Sequence, residues 1–201
     1  MLLERTNVAH SDPAALPVTV AECKAYARIN FDDDDAVIES LIEAARDHLE
    51  QATGRVLVST RFRLTLDEFA CNEIMLPRSP VISVDAVTYA DSNGDEQTLA
   101  AEDAFTTDLR SEPAWIVPAA NTRWPATFRG INAVAIDFTA GHASVGSPPD
   151  YSALIPARAK LSIKALVAHW FAEREPIPDT ARVTEIPYHL TRLVNGLRVW
   201  R

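Results

Sequence analysis

The chain has 201 residues and a formal net charge of −9, and it is long enough to bury a core as one domain or as a domain with a sizeable appendage. Hydrophobic residues make up 47% of it and charged residues 23%, which is the balance of a globular protein rather than a disordered one. The acidic surplus argues against a protein that holds nucleic acid by neutralising its phosphates.

The first 18 residues are interpreted as a loose leader. They lack the apolar stretch of a signal peptide, and no run in the sequence approaches the length of a membrane span. The cysteines, Cys23 and Cys71, have neither metal-ligand spacing nor a disulfide framework. We therefore expect a protein made in the reducing cytoplasm, without membrane association.

A short first helix is predicted directly after Pro17. Thr19 and Glu22 have the spacing of a capping box, in which the Thr19 hydroxyl accepts the N–H of Glu22 and the Glu22 carboxylate accepts the N–H of Thr19. The spacing predicts a helix over about residues 20–29.

Four consecutive carboxylates, Asp32 to Asp35, precede a second and longer helix. The helix is predicted from apolar residues with a 3.6-residue period and from Gly54 at the C-terminal cap; the apolar residues are Val37, Ile38, Leu41, Ile42, Ala45, Leu49 and Ala52. We expect Asp33 or a neighbour to cap the first turn and the other carboxylates to face the positive end of the helix dipole. A calcium loop would need spaced ligands, a glycine and a distal Glu, and none is in register.

The following segment changes to the period of β-strands. Residues 56–66 alternate with period two, and residues 74–90 are β-branched with prolines that mark an edge or a bend. In the hairpin turn that follows, Asn93 and Gly94 can take positive φ. Residues 114–119 and 132–141 supply further strands, and residues 146–151 are a loop. These patterns predict a mostly antiparallel sheet inserted between helices.

A third helix is predicted from Pro156 to the prolines Pro176 and Pro178, and a short fourth helix from Pro187 to a stop at Asn195 and Gly196. The third helix carries apolar residues on most of one side: Leu161, Ile163, Leu166, Val167, Trp170 and Phe171. The predicted fold class is α+β, a small helical bundle with an inserted β domain. Its parts are a leader over 1–18, a helical core over 19–54 and 156–175, a β domain over 55–155, and a C-terminal helix with an extended tail over 176–201.

The motifs of catalysis and cofactor binding do not appear. Residues 141–146, "GHASVG", lack the spacing of a nucleophile elbow, and no glycine-rich phosphate loop is present. The histidines have no metal-ligand spacing, and His169 is expected to lie in a core or an interface. We predict a protein that is not an enzyme and has no metal or cofactor. The alternative is a small-molecule enzyme or a monomeric binding module that uses the loop between Trp115 and Trp124.

Six segments, taken together and in order, resemble the head–tail connector (adaptor, head-completion) family of tailed phages and gene transfer agents. The segments are "LPVTVAECKAYARI", "DDDDAVIESLIEAARDHLEQATGR", "LPRSPVISVDAVTYAD" with the hairpin "NGDEQTL", "WP", "VAIDFTAG" and "IPARAKLSIKALVAHWFAERE". The resemblance covers about residues 16–175. It is less clear in the leader and in the last 25 residues.

The resemblance implies a structural protein without catalysis or cofactors. Such proteins form a ring of about twelve copies, in which one surface of each subunit meets a different surface of the next. The implied partners are the portal protein on one side and a tail-side stopper or tail terminator protein on the other. DNA passes through the ring without specific binding. The implied location is the host cytoplasm during assembly and then the head–tail interface of a phage or phage-like particle.

Two sets of residues are candidates for roles in such a ring. An acidic lining would repel phosphate in a DNA channel, and the channel-lining candidates are Asp32, Asp33, Asp34, Asp35 and Glu39. A solvated helix start is the other interpretation of these carboxylates. The basic and aromatic tail is the candidate portal contact, through Leu197, Arg198, Val199, Trp200 and Arg201. The other interpretation is that Trp200 packs back on the third helix of its own subunit.

Overall fold

The structure is a computed structural model that describes residues 2–7, 16–69, 72–101, 103–146, 150–173 and 188–199. Two compact units can be distinguished. The β unit comprises the described residues within 1–11, 59–143 and 199–201, and the helical unit comprises those within 12–58 and 144–198. The described residues form four helices and two antiparallel sheets, so the predicted α+β class is confirmed.

The helical unit contains α1 (Val20–Ala27), α2 (Asp35–Thr53), α3 (Ala157–Ala172) and α4 (Tyr188–Asn195). The predicted capping box at the start of α1 is confirmed, since Glu22 N donates to Thr19 Oγ1 at 3.1 Å and Thr19 N donates to Glu22 Oε2 at 2.9 Å. Gly54 ends α2 with φ 74°, the left-handed conformation expected of a C-terminal cap. The prolines predicted to end α3 and to open α4 lie outside the described residues.

The core of the helical unit forms where α3 packs against α1, α2 and α4. Most of the apolar positions predicted for α2 and α3 are buried there, and they include Ile38, Ile42, Ala45, Leu49, Ile163, Leu166 and Val167. A fully buried Ile or Leu stabilises the fold by about 1.5–3 kcal/mol relative to an exposed one. Three predicted positions differ, because Val37 and Leu161 are 42% and 40% exposed and Ala52 is also exposed.

A buried ion pair at the end of α2 was not predicted. Glu50 is 1% exposed and Arg46 is 4% exposed. The Glu50 Oε1 atom accepts a hydrogen bond from Arg46 Nε at 3.1 Å and another from the backbone N–H of Leu57 at 2.9 Å. Glu50 therefore ties the last turns of α2 to the segment that follows the helix.

The β unit contains a five-stranded antiparallel sheet with the order β1-β2-β8-β4-β5. Its strands are β1 (Leu2–Asn7), β2 (Thr60–Leu66), β4 (Val81–Ala90), β5 (Glu96–Thr98) and β8 (Val134–Ala140). A second sheet has three strands, β3 (Ile74–Met75), β6 (Phe105–Asp108) and β7 (Trp115–Pro118). Their order in the sheet is β3-β7-β6. Alternate residues of the central strand β8 are buried: Val134, Ile136, Phe138 and Ala140. The strand predicted within residues 132–141 is therefore confirmed, and the period of two predicted for residues 56–66 is confirmed in β2, where Thr60, Phe62 and Leu64 are buried.

The chain start differs from the loose leader expected from the sequence. Residues 2–7 form β1, which pairs with β2 so that Leu3 lies opposite Leu64. Only one face of this edge strand is covered, so Leu3 is half-buried and Leu2 remains 49% exposed. A single half-buried apolar residue gives too weak an alternation to predict a strand.

The hairpin turn between β4 and β5 uses one of the two residues predicted to take positive φ. Gly94 has φ 91°, whereas Asn93 is not among the described residues with positive φ. The Asp91 carboxylate accepts the backbone N–H groups of Asn93 at 2.9 Å and Asp95 at 3.1 Å. These N–H groups hold the pKa of Asp91 below its usual value.

Candidate functional site

The acidic segment before α2 is joined to α1 by one lysine. Lys24 Nζ donates to Asp32 Oδ1 and, at 2.8 Å, to Asp35 Oδ1. The ammonium group hydrogen-bonded to Asp32 holds the pKa of that carboxyl below its usual value, and the same carboxylates raise the pKa of Lys24. Two of the four carboxylates therefore fix the start of α2 against α1.

The predicted capping of α2 by Asp33 or a neighbour is wrong. The N-cap residue is Asp34, and its side chain makes no capping hydrogen bond. Its backbone has φ −103° and ψ 11°, which is not the extended conformation from which a side chain reaches the amides of the first turn. Asp33 is exposed, and Glu39 lies half-buried one turn into α2.

The described part of the tail is attached to the helical unit at its first residue. Leu197 packs against the hydrophobic core, and its carbonyl oxygen accepts a hydrogen bond from Arg55 Nε at 2.7 Å. Arg158 Nη1 donates to the Gly196 carbonyl at 3.4 Å. Leu197 therefore contacts the core of its own chain. Trp200 and Arg201 lie outside the described residues.

Only the last residue of the loop suggested as an alternative site, Trp124, lines an open cleft in the β unit. Residues 67–69 and 124–130 line a cavity of about 600 Å³, which we call the aromatic cleft. The rings of Phe69 and Trp124 stack in it, with centroids 4.7 Å apart and planes 6° from parallel. Trp115 is not part of the lining, because it lies in β7 opposite Asp108 and Met75. The structure therefore does not bring the two tryptophans together at one site.

No group of three His, Cys, Asp or Glu side chains within the described ranges could hold a metal ion. His169 Nε2 lies 3.5 Å from Glu173 Oε2 on α3. In the "GHASVG" segment, Val145 and Asp150 exchange two backbone hydrogen bonds, at 2.8 and 3.0 Å. None of the described helices is long and apolar enough to cross a membrane.

Comparison with known proteins gives one family and several solved structures. The family model of phage gp6-like head–tail connector proteins matches residues 17–110. A chain of a structure described as the virion of a native gene transfer agent particle is 28% identical, with a TM-score of 0.77, over 100% of this chain and 97% of that chain. A sequence comparison with curated proteins gives no significant match.

Two structures of particle necks show the same similarity. One is the neck of an empty gene transfer agent particle, computed with C6 symmetry, at 28% identity and a TM-score of 0.74. The other is the neck of a native particle, computed with C12 symmetry, at 26% identity and a TM-score of 0.71. Both matches cover 100% of this chain and 97% of the other.

These matches define the class of protein to which an α+β chain of this topology belongs. It is a structural protein rather than an enzyme, as the sequence predicted. The resemblance seen in the sequence is also confirmed: residues 17–110 match the family model of head–tail connector proteins, and the whole chain is similar to chains of gene transfer agent particles.

Proposed function

We propose that this protein is a subunit of a ring that joins the portal to the tail of a phage-like particle and surrounds the DNA channel. The observation that carries the proposal is the similarity along the whole chain to a protein in the necks of gene transfer agent particles. The C12 symmetry used for one neck supports a ring of about twelve copies. In such a ring, each subunit presents one surface to the preceding copy and another to the next.

The acidic start of α2 is proposed to face the DNA channel, through Asp32 to Asp35 and Glu39. Carboxylates there repel phosphate at short range, and salt screens this repulsion beyond about 8 Å. Passing DNA would then meet no group that holds it. Because Lys24 pairs with Asp32 and Asp35, the repulsion would come chiefly from Asp33, Asp34 and Glu39.

The C-terminal tail is proposed to contact the portal. Leu197 is held by the core of the helical unit, so the contact would be made by Arg198, Val199, Trp200 and Arg201. Trp buries a large rigid area, and Arg donates forked hydrogen bonds to carboxylates or carbonyls, so both residue types commonly anchor interfaces. Arg198 is exposed, as a residue in a docking segment must be.

The opposite side of the ring is proposed to receive a tail-side stopper or tail terminator protein. The subunit would be made in the host cytoplasm and would then become part of the particle. DNA would pass through without specific binding, which agrees with the net charge of −9.

Electron microscopy of particles from cells that lack this gene tests the proposal. Loss of the connector should give heads without tails, and a copy of the gene supplied from a plasmid should restore complete particles. Normal tailed particles from the deletion strain would contradict the proposal. Mapping the protein in wild-type particles, with an antibody or by averaging, should place it between head and tail.

A further inference from the structure

The aromatic cleft exposes apolar surface beside carboxylates. The stacked rings of Phe69 and Trp124 line the cleft. Phe128 also lines it and is 47% exposed, and Ile131, which follows the lining segment in the sequence, is 84% exposed. Asp67 and Glu68 belong to the lining and are exposed. Large apolar side chains left in water beside a concave surface are typical of a binding site.

The cleft is held in shape by its own hydrogen bonds. Asp67 Oδ1 accepts the backbone N–H of Asn132 at 3.0 Å, and Phe128 N donates to the carbonyl of Ala90 at 2.9 Å. The indole Nε1 of Trp124 is buried, with no acceptor among the described residues, so this side chain offers its ring and not its N–H to a partner. A preformed aromatic surface with carboxylates beside it fits a segment that carries aliphatic and cationic side chains.

The outer face of α3 has these properties. Between Ala157 and Ala172 the sequence contains no Asp or Glu. Leu161 is 40% exposed, although Ile163, Leu166 and Val167 of the same helix are buried. Lys160 and Lys164 are half-buried, and the helical period places them one turn apart on the same side of Leu161. On a chain with a net charge of −9, this is a cationic and apolar surface.

We propose that the aromatic cleft of one subunit binds the outer face of α3 from a second copy of this chain. Leu161 would contact the aromatic rings, and Lys160 and Lys164 would face Asp67 and Glu68. The two surfaces differ, so the contact is heterologous and repeats from copy to copy, as closure of a ring requires. This inference rests on the proposed ring and names the contact between its neighbours.

Site-specific photo-cross-linking in assembled particles tests the contact. Phe128 is replaced by benzoylphenylalanine, the particles are irradiated, and the cross-linked peptides are identified by mass spectrometry. Particles assembled from mixed ¹⁴N and ¹⁵N subunits distinguish cross-links between copies from those within one chain. We expect cross-links from Phe128 to residues 157–172 of another copy. Cross-links to a different particle protein, cross-links within one chain, or none at all would overturn the inference.

Charge reversal supplies an independent test with a matched control. Glu68→Lys and Lys160→Glu should each reduce incorporation into necks by about threefold or more, as expected when like charges face each other at an interface. The two changes combined should restore incorporation. Asp103→Lys makes the same change of charge at an exposed residue outside the cleft and should leave incorporation unchanged. Equal loss in this control, or no recovery in the double variant, would contradict the contact.

The two proposals fail in distinguishable ways. If the wild-type protein is absent from necks, the proposed connector function is wrong. If the wild-type protein is present, but Phe128 does not reach α3 of another copy and the paired reversal has no effect, then only the proposed contact is wrong. Thermal unfolding of each purified variant shows whether a loss of incorporation comes from misfolding.

Discussion

Lys24 is the residue that organises the acidic start of α2, and its effect can be measured as a pKa. Its ammonium group holds the pKa of Asp32 below the usual 3.8. The pair therefore favours the folded state above the unfolded pKa of Asp32, and this contribution is lost as the pH falls through the lower folded pKa. We expect NMR titration of Asp32 to give a midpoint below 3.8.

Replacing the lysine should reverse this shift. In Lys24→Met the Asp32 midpoint should rise toward 3.8, because the cationic hydrogen-bond donor is gone. Lys160→Met, which removes a lysine that does not contact Asp32, serves as the control and should leave the midpoint unchanged. Identical midpoints in the wild type and in Lys24→Met would show that the pair does not form in solution.

The Arg46 and Glu50 pair leads to a prediction about stability. Glu50→Ala leaves a buried guanidinium without its carboxylate, and this should lower the free energy of unfolding by about 3–5 kcal/mol. Glu43→Ala, at an exposed site on the same helix, should change it by no more than about 0.5 kcal/mol. Urea denaturation of the two variants measures the difference.

A double replacement separates the ion pair from the backbone contact. Arg46→Met combined with Glu50→Leu removes both charges and should recover part of the lost stability. Recovery should be incomplete, because the N–H of Leu57 loses its acceptor and a buried unpaired donor costs about 1–3 kcal/mol. Equal stability of Glu50→Ala and the double variant would contradict an effect of the unpaired charge.

Single residues differ in how well the sequence predicts them. Thr19, Glu22 and Gly54 were predicted because caps depend on neighbours within a few positions. The contacts of Lys24 with Asp32 and Asp35, and of Glu50 with Leu57, depend on how α1, α2 and the following segment pack. Lys24 lies eight and eleven residues from Asp32 and Asp35, beyond the end of α1, so the spacing rules for pairs within one helix do not predict these contacts.

Among the elements, α1 is short and depends on its cap. Thr19→Ala removes the hydroxyl that accepts the N–H of Glu22 and should lower the free energy of unfolding by about 1 kcal/mol. Thr19→Ser keeps the hydroxyl and should stay close to the wild type. Chemical denaturation followed by circular dichroism compares the three proteins, and an equal loss in the Ser variant would show that the methyl group, not the cap, is responsible.

Two truncations of the tail should differ in their effect on the melting temperature. Deleting Arg198 to Arg201 should leave the melting temperature of the isolated subunit nearly unchanged and abolish its binding to purified portal rings. Deleting Leu197 as well should lower the melting temperature, because Leu197 packs against the core and its carbonyl accepts from Arg55. Undiminished portal binding by the shorter truncation would show that the tail does not dock there.

The strands show which elements a sequence can reveal. β2, β4 and β8 each bury more than one side chain. The β-branched and apolar residues in these segments predicted that they are strands. β5 has three residues and all are exposed, and in β6 only Phe105 is buried. Such strands form because a neighbouring strand offers free backbone groups, so their positions depend on distant segments rather than on their own sequence.

At the scale of the whole particle, the acidic segment should affect the passage of DNA. Asp33→Lys combined with Glu39→Lys keeps the Lys24 pairs intact and places cations where the channel is proposed to run. Particles with this variant should assemble but deliver less DNA, because lysines hold phosphates. Glu73→Lys combined with Asp103→Lys, at exposed sites of the β unit, is the matched control. Normal DNA delivery by incorporated Asp33 and Glu39 variants would contradict a channel role.

The insertion of strands β2 to β8 between α2 and α3 has a consequence for synthesis on the ribosome. About 100 residues separate Thr53, the end of α2, from Ala157, the start of α3. Translation adds about 5–20 residues per second, so roughly 5–20 s pass between the synthesis of α2 and the synthesis of α3. During that time Ile38, Ile42 and Leu49 lack the α3 residues that cover them in the finished protein. The nascent chain should therefore recruit chaperones while the β unit is being made, and pausing translation within β8 should prolong that association.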